Sequence, residues 1–251
     1  MINIQDIISI AQKAGDKIMD IYENEDFSKT IDFKADDSPL TIADKAAHEI
    51  IEAALLELYP NIPILSEEGA KIEYSERKNW DTYWCVDPLD GTKEFINKNG
   101  QFTVNIALIE NKKSILGVVY APAINTMFYG SIEEGAFITK EGKTSSININ
   151  NKDSERIAVK SKSHASEAED EVLAKFSVTD TISVGSSLKF CMVAEGKADI
   201  YYRHGPTMEW DTAAGQAVVV AAGGTVENME GDTFTYNKEN LLNSSFLVKG
   251  F

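Results

Sequence analysis

The apolar residues near the start of the chain recur at the spacing of two amphipathic helices. Residues 4–22 place apolar side chains every three or four positions, which predicts a first helix with one buried face. The second helix has its own apolar stripe, formed by Ala47, Ile50, Ile51, Ala54, Leu55 and Leu58. Thr41 stands at its expected N-cap, and Pro60 follows its expected end.

Short apolar runs follow, and their length is that of β-strands. We expect strands at 62–66, 82–86, 102–109, 114–121 and 126–130. Later in the chain strands and helices alternate: strand 157–161, a helix near 166–175, strand 181–185, a helix near 187–195, strand 198–202 and a small-residue helix after Asp211. Such alternation is typical of an α/β unit.

The polar segment 140–156 separates these two patterns and is the candidate boundary. We expect residues 1–150 to form an N-terminal α+β lobe, with the helix pair and an antiparallel-rich sheet. Residues 151–251 should form a smaller C-terminal α/β lobe, so the fold class is α/β. An active site would then lie in the crevice between the lobes.

Composition narrows the choice of partner. The 251 residues are 43% hydrophobic and 25% charged, as in soluble globular proteins, and the formal net charge of −16 argues against nonspecific binding to nucleic acid. No signal peptide or transmembrane segment is expected. Cys85 and Cys191 lie among apolar neighbours and are predicted to be buried free thiols in a reducing cytosol. A phosphate substrate would need added positive charge, which bound divalent cations could supply.

Two carboxylates follow a predicted buried strand. Asp87 and Asp90 come directly after the run 82–86, in the sequence DPLDGT. Asp, Pro and Gly also build ordinary turns, so a purely local role is an equal alternative. A carboxylate buried at a strand end must be paired or bound to a metal. Gly91 and Thr92 open a predicted helix, whose N–H groups could hold a phosphate nearby.

Three further acidic residues fit the same arrangement. Glu67 also follows a strand, so it could meet Asp87 at one sheet edge, although adjacent glutamates are usually solvated. Asp211 precedes a helix of small residues, where its simplest role is an N-cap. Asp44 forms a variant capping box with Thr41, yet it lies on the inward face of its helix.

Four of these carboxylates make an all-oxygen ligand set: Glu67, Asp87, Asp90 and Asp211. Carboxylate ligands suit Mg²⁺ or Mn²⁺ rather than zinc, and the chain has only three histidines. Two such ions would activate a water and stabilise the leaving oxygen of a phosphate ester.

The motifs WCVDPLDGTKEFI, LSEEG and WDTAAG resemble those of the inositol monophosphatase superfamily of Mg²⁺-dependent, lithium-sensitive phosphatases. The resemblance covers essentially the whole chain and implies a layered αβαβα sandwich. Within the superfamily, the stretches DGTKEF, NGQFTVNIALIE and GSSLKF are similar to the bacterial bisphosphate nucleotidases. Inositol monophosphatases tend to have Thr-Asn-Phe where this chain has Lys93, Glu94 and Phe95.

The resemblance implies a metal site shared by both lobes. Glu67, Asp87 and the carbonyl of Leu89 would hold one Mg²⁺, and Asp87, Asp90 and Asp211 would hold a second. The family also implies a third, loosely held ion near Glu67. Most of these ligands lie in the N-terminal lobe, and the C-terminal lobe would complete the site.

The resemblance also implies catalytic and substrate contacts. Thr92 and Asp44 would orient and deprotonate the attacking water, and Glu67 is the third expected catalytic residue. Three residues fall where related nucleotidases contact the nucleotide: His164, Gly185 and Lys189. The remaining predicted substrate contacts are Glu67, Leu89, Asp90, Gly91, Thr92 and Asp211, with the amides of Gly91 and Thr92 on the phosphate.

The implied reaction is hydrolysis of adenosine 3',5'-bisphosphate to AMP and phosphate, by in-line attack of water and without a phosphoenzyme. The phosphosulfate analogue is a second candidate substrate, and the role would lie in sulfur metabolism. The expected enzyme is a monomer or homodimer in the cytoplasm, with the inner face of the cell membrane as a second location.

Three alternatives remain open at this stage. The nearest is an inositol or sugar phosphatase of the same superfamily. A haloacid-dehalogenase-type phosphatase has a similar Asp-x-Asp-Gly-Thr motif, but Asp87 and Asp90 are three residues apart with Pro88 between them, which spoils that geometry. The third is a catalytically silent binding protein, against which Thr92 and Asp44 argue.

Overall fold

The computed structural model describes the backbone of residues 2–24, 32–33, 39–161 and 167–251, and the side chains of 2–23, 41–161 and 169–251. His164, one of the predicted nucleotide contacts, lies outside the described residues. Within these ranges the α-helices are α1 Ile4–Asn24, α2 Ile42–Leu58, α3 Tyr74–Arg77, α4 Thr92–Ile96, α5 Glu167–Leu173, α6 Leu188–Ala194 and α7 Glu209–Ala221. Short 3₁₀ turns cover Pro122–Ile124 and Ala174–Phe176.

The strands of the described residues form a two-stranded ribbon and two larger sheets. The ribbon is β1 Asp32–Phe33 with β2 Pro39–Leu40. The first sheet contains, in spatial order, β3 Ile64–Ser66, β4 Thr82–Asp90, β5 Thr103–Glu110, β6 Lys113–Ala121, β7 Thr126–Ser131, β8 Gly135–Lys140 and β9 Lys143–Ile147. The second contains β11 Val178–Val184, β10 Arg156–Ser161, β12 Ile200–Arg203, β14 Phe246–Lys249 and β13 Thr225–Asn228.

The first sheet is antiparallel except for the parallel pair β3 and β4, whereas the second is mixed. The predicted antiparallel-rich sheet and the later α/β alternation are therefore confirmed. Six strands were not predicted: the ribbon β1 and β2, and β8, β9, β13 and β14 of the larger sheets. Strand β9 lies inside the polar segment 140–156, so the linker between the two sheets is shorter than expected. The division into lobes at residue 150 stays a prediction.

Three buried apolar clusters define five layers. Helices α1 and α2 pack on one face of the first sheet, around Ile18, Leu55 and Trp84. Helices α6 and α7 fill the space between the two sheets, and α5 packs on the outer face of the second, where Leu173 contacts the cluster of Ile200. This is the predicted αβαβα order, and it explains why the central strands β4 to β7 of the first sheet are rich in apolar residues: both of their faces are buried.

Helix α7 approaches the first sheet closely, because β6 carries a glycine under it. A Cβ at Gly117 would lie 2.3 Å from the backbone oxygen of Ala214. The small residues of α7 and this glycine let the helix backbone approach the strand. The N-terminus of α7, with Asp211, is thereby held next to the end of β4.

The DPLD sequence is an irregular strand end rather than a turn. Strand β4 continues through Pro88 to Asp90, beyond the predicted end at residue 86. Asp87 pairs with Asn105 and Asp90 with Thr103, so β4 holds one more residue than β5 between these pairs. This extra residue is a β-bulge, where a proline without an N–H is tolerated.

Both cysteines are free and buried, as predicted. Among the described residues, every helix is too short or too polar to cross a membrane.

Candidate active site

A pocket of about 300 Å³ opens beside the ends of β3 and β4 and is closed by α6, β12 and the start of α7. Its walls include nine of the predicted site residues: Glu67, Asp87, Leu89, Asp90, Gly91, Thr92, Gly185, Lys189 and Asp211. Residues from both sheets therefore meet in one cavity.

Three carboxylates converge in this pocket. Glu67, Asp87 and Asp211 each place one carboxylate oxygen within 4.8 Å of the others, close enough for one cation to touch all three. Strands β3 and β4 run parallel, and the amide of Glu67 donates to the carbonyl of Val86 at 3.1 Å, so the two strand ends meet at one edge as predicted.

The simpler alternative for Asp211, that it is the N-cap of its helix, was wrong. Met208 is the N-cap of α7, and Asp211 is the third residue of the helix, where its Oδ2 accepts a hydrogen bond from the Met208 amide at 2.8 Å. Asp44 occupies the same position in α2, and its predicted capping box with Thr41 is confirmed. Each helix thus uses one oxygen of an aspartate to order its own first turn.

Asp90 lies in the same pocket, but it is not one of the three converging residues. Its Oδ2 accepts hydrogen bonds from the backbone amide and the hydroxyl of Ser187, at 2.6 and 2.8 Å. The side-chain amide of Asn105 donates to the same oxygen at 3.3 Å. Ser187 was not predicted as a site residue, because a serine at the start of a helix is ordinarily an N-cap.

Burial of several carboxylates together raises their pKa values. The pKa of Asp211 rises to about 8, first because it is buried and then because Asp90 and Glu67 carry like charge. Burial and the charge of Glu67 raise the pKa of Asp87 well above its usual range. The ionised cluster therefore needs a cation, and carboxylate oxygens are the ligands that Mg²⁺ prefers.

Thr92 and Asp44 are brought together from α4 and α2, as predicted. Thr92 Oγ1 donates to Asp44 Oδ1 at 3.2 Å, and Asp44 is almost completely buried. Gly91 precedes α4 with φ of 92°, and a Cβ there would lie 3.2 Å from Gln101 O and from Ser186 Cβ. Only glycine adopts this backbone without strain, and it lets the chain enter α4 at the pocket.

Two cations also line the pocket. Lys189 is buried, which lowers its pKa to about 8, and its Nζ donates to the carbonyl of Ser186 at 2.6 Å. Arg203 is buried at the end of β12, where it makes one long contact from Nη2 to the carbonyl of Pro206 at 3.4 Å. Its Nε has no hydrogen-bond partner among the described residues. Sequence analysis missed Arg203, because arginines at strand ends are commonly exposed.

Gly185 is required by the packing of the pocket wall. A Cβ there would lie 2.8 Å from Glu94 Cγ and 2.9 Å from Gln101 O, and its amide donates to Gln101 Oε1 at 3.0 Å. A direct contact of Gly185 with a nucleotide stays a prediction.

Comparison with known proteins agrees with this geometry. The profile of the inositol monophosphatase family matches residues 3–249. The 3'(2'),5'-bisphosphate nucleotidase CysQ of Salmonella typhimurium is 46% identical over 248 residues, which cover 98% of each chain. The protein of the same name from Escherichia coli K12 is also 46% identical, with the same coverage.

Solved structures give the same relationship. The crystal structure of CysQ from Bacteroides thetaiotaomicron, a bacterial member of the inositol monophosphatase family, has a TM-score of 0.86 and 43% identity, and the match covers 98% of this chain and 96% of that one. The suhB protein of Bartonella henselae shares the fold, with a TM-score of 0.81 at 23% identity over 98% of this chain and 93% of that chain. The family predicted from the acidic motifs is therefore confirmed, and this chain belongs to the inositol monophosphatase family.

Proposed function

We propose that this chain is a Mg²⁺-dependent 3'(2'),5'-bisphosphate nucleotidase that hydrolyses the 3'-phosphate of adenosine 3',5'-bisphosphate to AMP and phosphate. The observation that carries the proposal is one pocket holding both a converging carboxylate cluster and two buried cations. The cluster Glu67, Asp87 and Asp211 suits the metal-assisted release of one phosphate. Lys189 and Arg203 suit a second phosphate that is not hydrolysed.

The residues present fit a Mg²⁺ site. Glu67, Asp87 and the carbonyl of Leu89 would hold one ion, and Asp87, Asp90 and Asp211 a second, with a third, weaker ion near Glu67. All these groups line the pocket, all offer oxygen, and the buried acids have raised pKa values that a cation would offset. When bound, the ions supply charge neutralisation and a water of lowered pKa.

The chain itself supplies the group that receives a proton. The hydroxyl of Thr92 donates its hydrogen to Asp44 Oδ1, so its lone pairs are free to accept a hydrogen bond from a water in the pocket. A proton leaving that water can pass through Thr92 Oγ1 to Asp44. Asp44 keeps its orientation because Oδ2 is held by the amide of Thr41 at 2.8 Å. Its role is that of a general base.

The remaining residues bind and orient the substrate. The amides of Gly91 and Thr92 at the start of α4 would hold the phosphate that is cleaved, beside the carboxylate cluster. Lys189 and Arg203 would hold the 5'-phosphate by charge-assisted hydrogen bonds. We place Gly185 and His164 near the nucleoside. Catalysis would rest on positioning and charge neutralisation rather than on a covalent intermediate.

The substrate assignment is supported by curated relatives at 46% identity whose names specify a 3'(2'),5'-bisphosphate nucleotidase. The alternative is an inositol or sugar phosphatase, since the inositol monophosphatases among the solved structures share the fold at 23–24% identity. Inositol 1-phosphate carries one phosphate and would leave both buried cations, Lys189 and Arg203, without a phosphate partner. We also propose a cytoplasmic monomer or homodimer that acts in sulfur metabolism, clearing adenosine 3',5'-bisphosphate.

A phosphate-release panel tests the proposal. Adenosine 3',5'-bisphosphate, its phosphosulfate analogue, inositol 1-phosphate and a sugar bisphosphate are compared with Mg²⁺ and with EDTA. We expect the highest kcat/KM for adenosine 3',5'-bisphosphate, no release in EDTA, and inhibition by lithium. A higher kcat/KM for inositol 1-phosphate would overturn the substrate, and full activity in EDTA would overturn the metal dependence.

A further inference from the structure

Ser187 stands at the N-cap of α6, but it does not serve as a cap. An N-cap serine usually accepts a hydrogen bond from an N–H of the first helical turn. In the described structure the Ser187 side chain makes no such bond, although the residue is buried. Its hydroxyl instead lies 2.8 Å from Asp90 Oδ2, on a strand of the other sheet.

Several donors converge on the same oxygen of Asp90. The Ser187 amide donates at 2.6 Å and its hydroxyl at 2.8 Å, and Asn105 Nδ2 donates at 3.3 Å. A longer contact of 3.5 Å comes from Thr103 Oγ1. Among the residues that the structure describes, every hydrogen bond that the Asp90 carboxylate accepts ends on Oδ2. Oδ1 is therefore the oxygen that remains to ligate a cation.

The donors are themselves fixed in a buried network. Asn105 Nδ2 also donates to Ser187 Oγ at 2.9 Å, and Asn105 Oδ1 accepts from Thr103 Oγ1 at 3.0 Å. Ser187 Oγ also lies 2.9 Å from the backbone carbonyl of Asp211. The hydroxyl carries one hydrogen and can serve only one of these acceptors at a time. The charged carboxylate is the stronger acceptor, so the hydrogen is expected on Asp90.

We infer that Ser187 is a positioning residue for the metal site. It holds Asp90 Oδ2 so that the carboxylate presents Oδ1 to the cations. Ser187 lies two residues before Lys189. Its hydrogen bonds to Asp90 therefore also hold the start of α6 next to the end of β4. The inference rests on the proposed function, because it takes Asp90 to be a metal ligand.

The test measures metal binding without substrate. The metal-free protein is titrated with Mg²⁺ at constant temperature in a calorimeter, and the midpoint of the saturation curve gives the Mg²⁺ affinity. Removing a group that holds a metal ligand typically weakens metal binding by about tenfold or more. Ser187→Ala should therefore raise the Mg²⁺ midpoint about tenfold, although it keeps the backbone donor.

Ser114→Ala is the matched control. Ser114 is also buried, and its hydroxyl donates to a backbone carbonyl of α7, that of Ala213, at 2.7 Å. This variant should lose some stability but keep the wild-type Mg²⁺ midpoint. Ser187→Cys, which has nearly the same shape and a weaker donor, provides a second test if Ser187→Ala does not fold.

The outcomes separate the inference from the proposed function. A midpoint raised threefold or more in Ser187→Ala, or in Ser187→Cys if the alanine variant does not fold, with an unchanged midpoint in Ser114→Ala, supports the inference. A smaller change in that Ser187 variant, or an equal change in Ser114→Ala, overturns the inference while the proposed function stands. If Mg²⁺ does not bind to the wild-type protein, the proposed metal site and this inference both fall.

Discussion

Thr92 Oγ1 lies 3.2 Å from Asp44 Oδ1, although the two residues are 48 positions apart in the chain. Thr92 is the first residue of α4, and Asp44 lies in the first turn of α2. The pair is therefore held together by tertiary packing rather than by a local turn. Asp44 is 2% exposed, and its other oxygen is occupied by the Thr41 amide. Asp44 thus orients the hydroxyl of Thr92, which can still accept a hydrogen bond from a group in the pocket.

Replacing this hydroxyl by a methyl group should remove proton transfer while leaving the metal ligands intact. We expect Thr92→Val to lower kcat by about 10²–10⁴, the range usually contributed by a general acid or base. The measurement is steady-state phosphate release, together with Mg²⁺-dependent melting. Thr92→Ser keeps the hydroxyl and should retain most of the activity. A Thr92→Val protein with wild-type kcat would exclude this proton path.

Asp87 should be a metal ligand that costs stability when no metal is bound. It is 1% exposed, and its pKa is raised by burial and by the charges of Glu67, Asp90 and Asp211. Asp87→Asn removes one negative charge while its Oδ1 can still accept the Leu89 amide, which lies at 3.1 Å. We therefore expect a metal-free Asp87→Asn protein to melt above the wild type at pH 8.

The melting temperature should rise by about 2–4 °C for each kcal/mol of charge repulsion that the substitution removes, for a chain of this length. Phosphate release should fall about 10³-fold, since several kcal/mol of charge stabilisation are lost. Asp153→Asn, at an exposed position, controls for the change in net charge. If Asp87→Asn melts below the wild type in EDTA, repulsion among the carboxylates does not destabilise the metal-free protein.

Part of the acidic site could be predicted from the sequence, because two of its carboxylates follow apolar runs at a place where strand ends must meet. Glu67 and Asp87 follow β3 and β4, and the parallel pairing of these strands brings them together. The bulge at Pro88 could not be predicted, because its position depends on the register with Asn105 and Thr103 on β5. The apolar run alone therefore placed the strand end four residues early.

Residues that act through tertiary contacts could not be predicted from local sequence patterns. Ser187 has the local signature of a cap, and only the tertiary fold places the start of α6 beside Asp90 at the end of β4. Arg203 ends a short apolar strand and is buried by the segment around Pro206. Strand β9, Lys143–Ile147, was missed for a related reason: it is an edge strand with exposed polar side chains, so no apolar run marks it.

The stability gained from Mg²⁺ should depend on pH through Asp211. Its folded-state pKa of about 8 lies above the ordinary value of 3.8. Between these two values the metal-free folded protein keeps a proton that the unfolded chain has lost. The free energy of unfolding of the metal-free protein therefore falls as pH rises through this window, by at most about 1.4 kcal/mol per pH unit for one proton.

Mg²⁺ must displace that proton, so its binding tightens as pH rises toward 8. At a fixed, subsaturating Mg²⁺ concentration, we expect the Mg²⁺-induced increase in melting temperature to grow between about pH 6 and pH 8. Melting curves with Mg²⁺ and with EDTA across this range provide the measurement. An increase that is the same at every pH would show that no ligand with a raised pKa is deprotonated on binding.

Arg203 should distinguish substrates with two phosphates from those with one. Its side chain lines the pocket, and among the described residues its Nη2 makes only a long hydrogen bond, 3.4 Å to the carbonyl of Pro206, so a ligand oxygen can be its acceptor. A charge-assisted hydrogen bond contributes about 1.5–3 kcal/mol, so Arg203→Gln should raise KM for adenosine 3',5'-bisphosphate about 10- to 100-fold.

Adenosine 3'-monophosphate, which lacks the 5'-phosphate, is the control substrate for Arg203→Gln. Its KM should change by less than about threefold, because it offers no second phosphate to the guanidinium. Equal increases for both substrates would show that Arg203 supports the pocket without binding the 5'-phosphate.

Glu209 anchors the start of α7, two residues before Asp211. It is completely buried, and its carboxylate accepts hydrogen bonds from the amide of Asn237 at 2.8 Å and from the amide and Nζ of Lys238 at 2.9 and 2.7 Å. The hydroxyl of Tyr83 adds a longer bond at 3.3 Å. The loop that carries Lys238 is thereby held under the first turn of α7.

Breaking this pair from the lysine side leaves a buried carboxylate without its cation. Lys238→Met should therefore lower the free energy of unfolding by about 1.5–3 kcal/mol, the usual contribution of a hydrogen bond to a charged group, since two backbone amides still hold the carboxylate. Glu209→Gln should also destabilise the protein, but the double variant should lose less than the sum of the two single losses, because the unpaired charge is gone. Thermal or urea unfolding of the four proteins in EDTA measures the cycle. Additive losses would mean that the two side chains do not stabilise each other and that backbone amides alone hold Glu209.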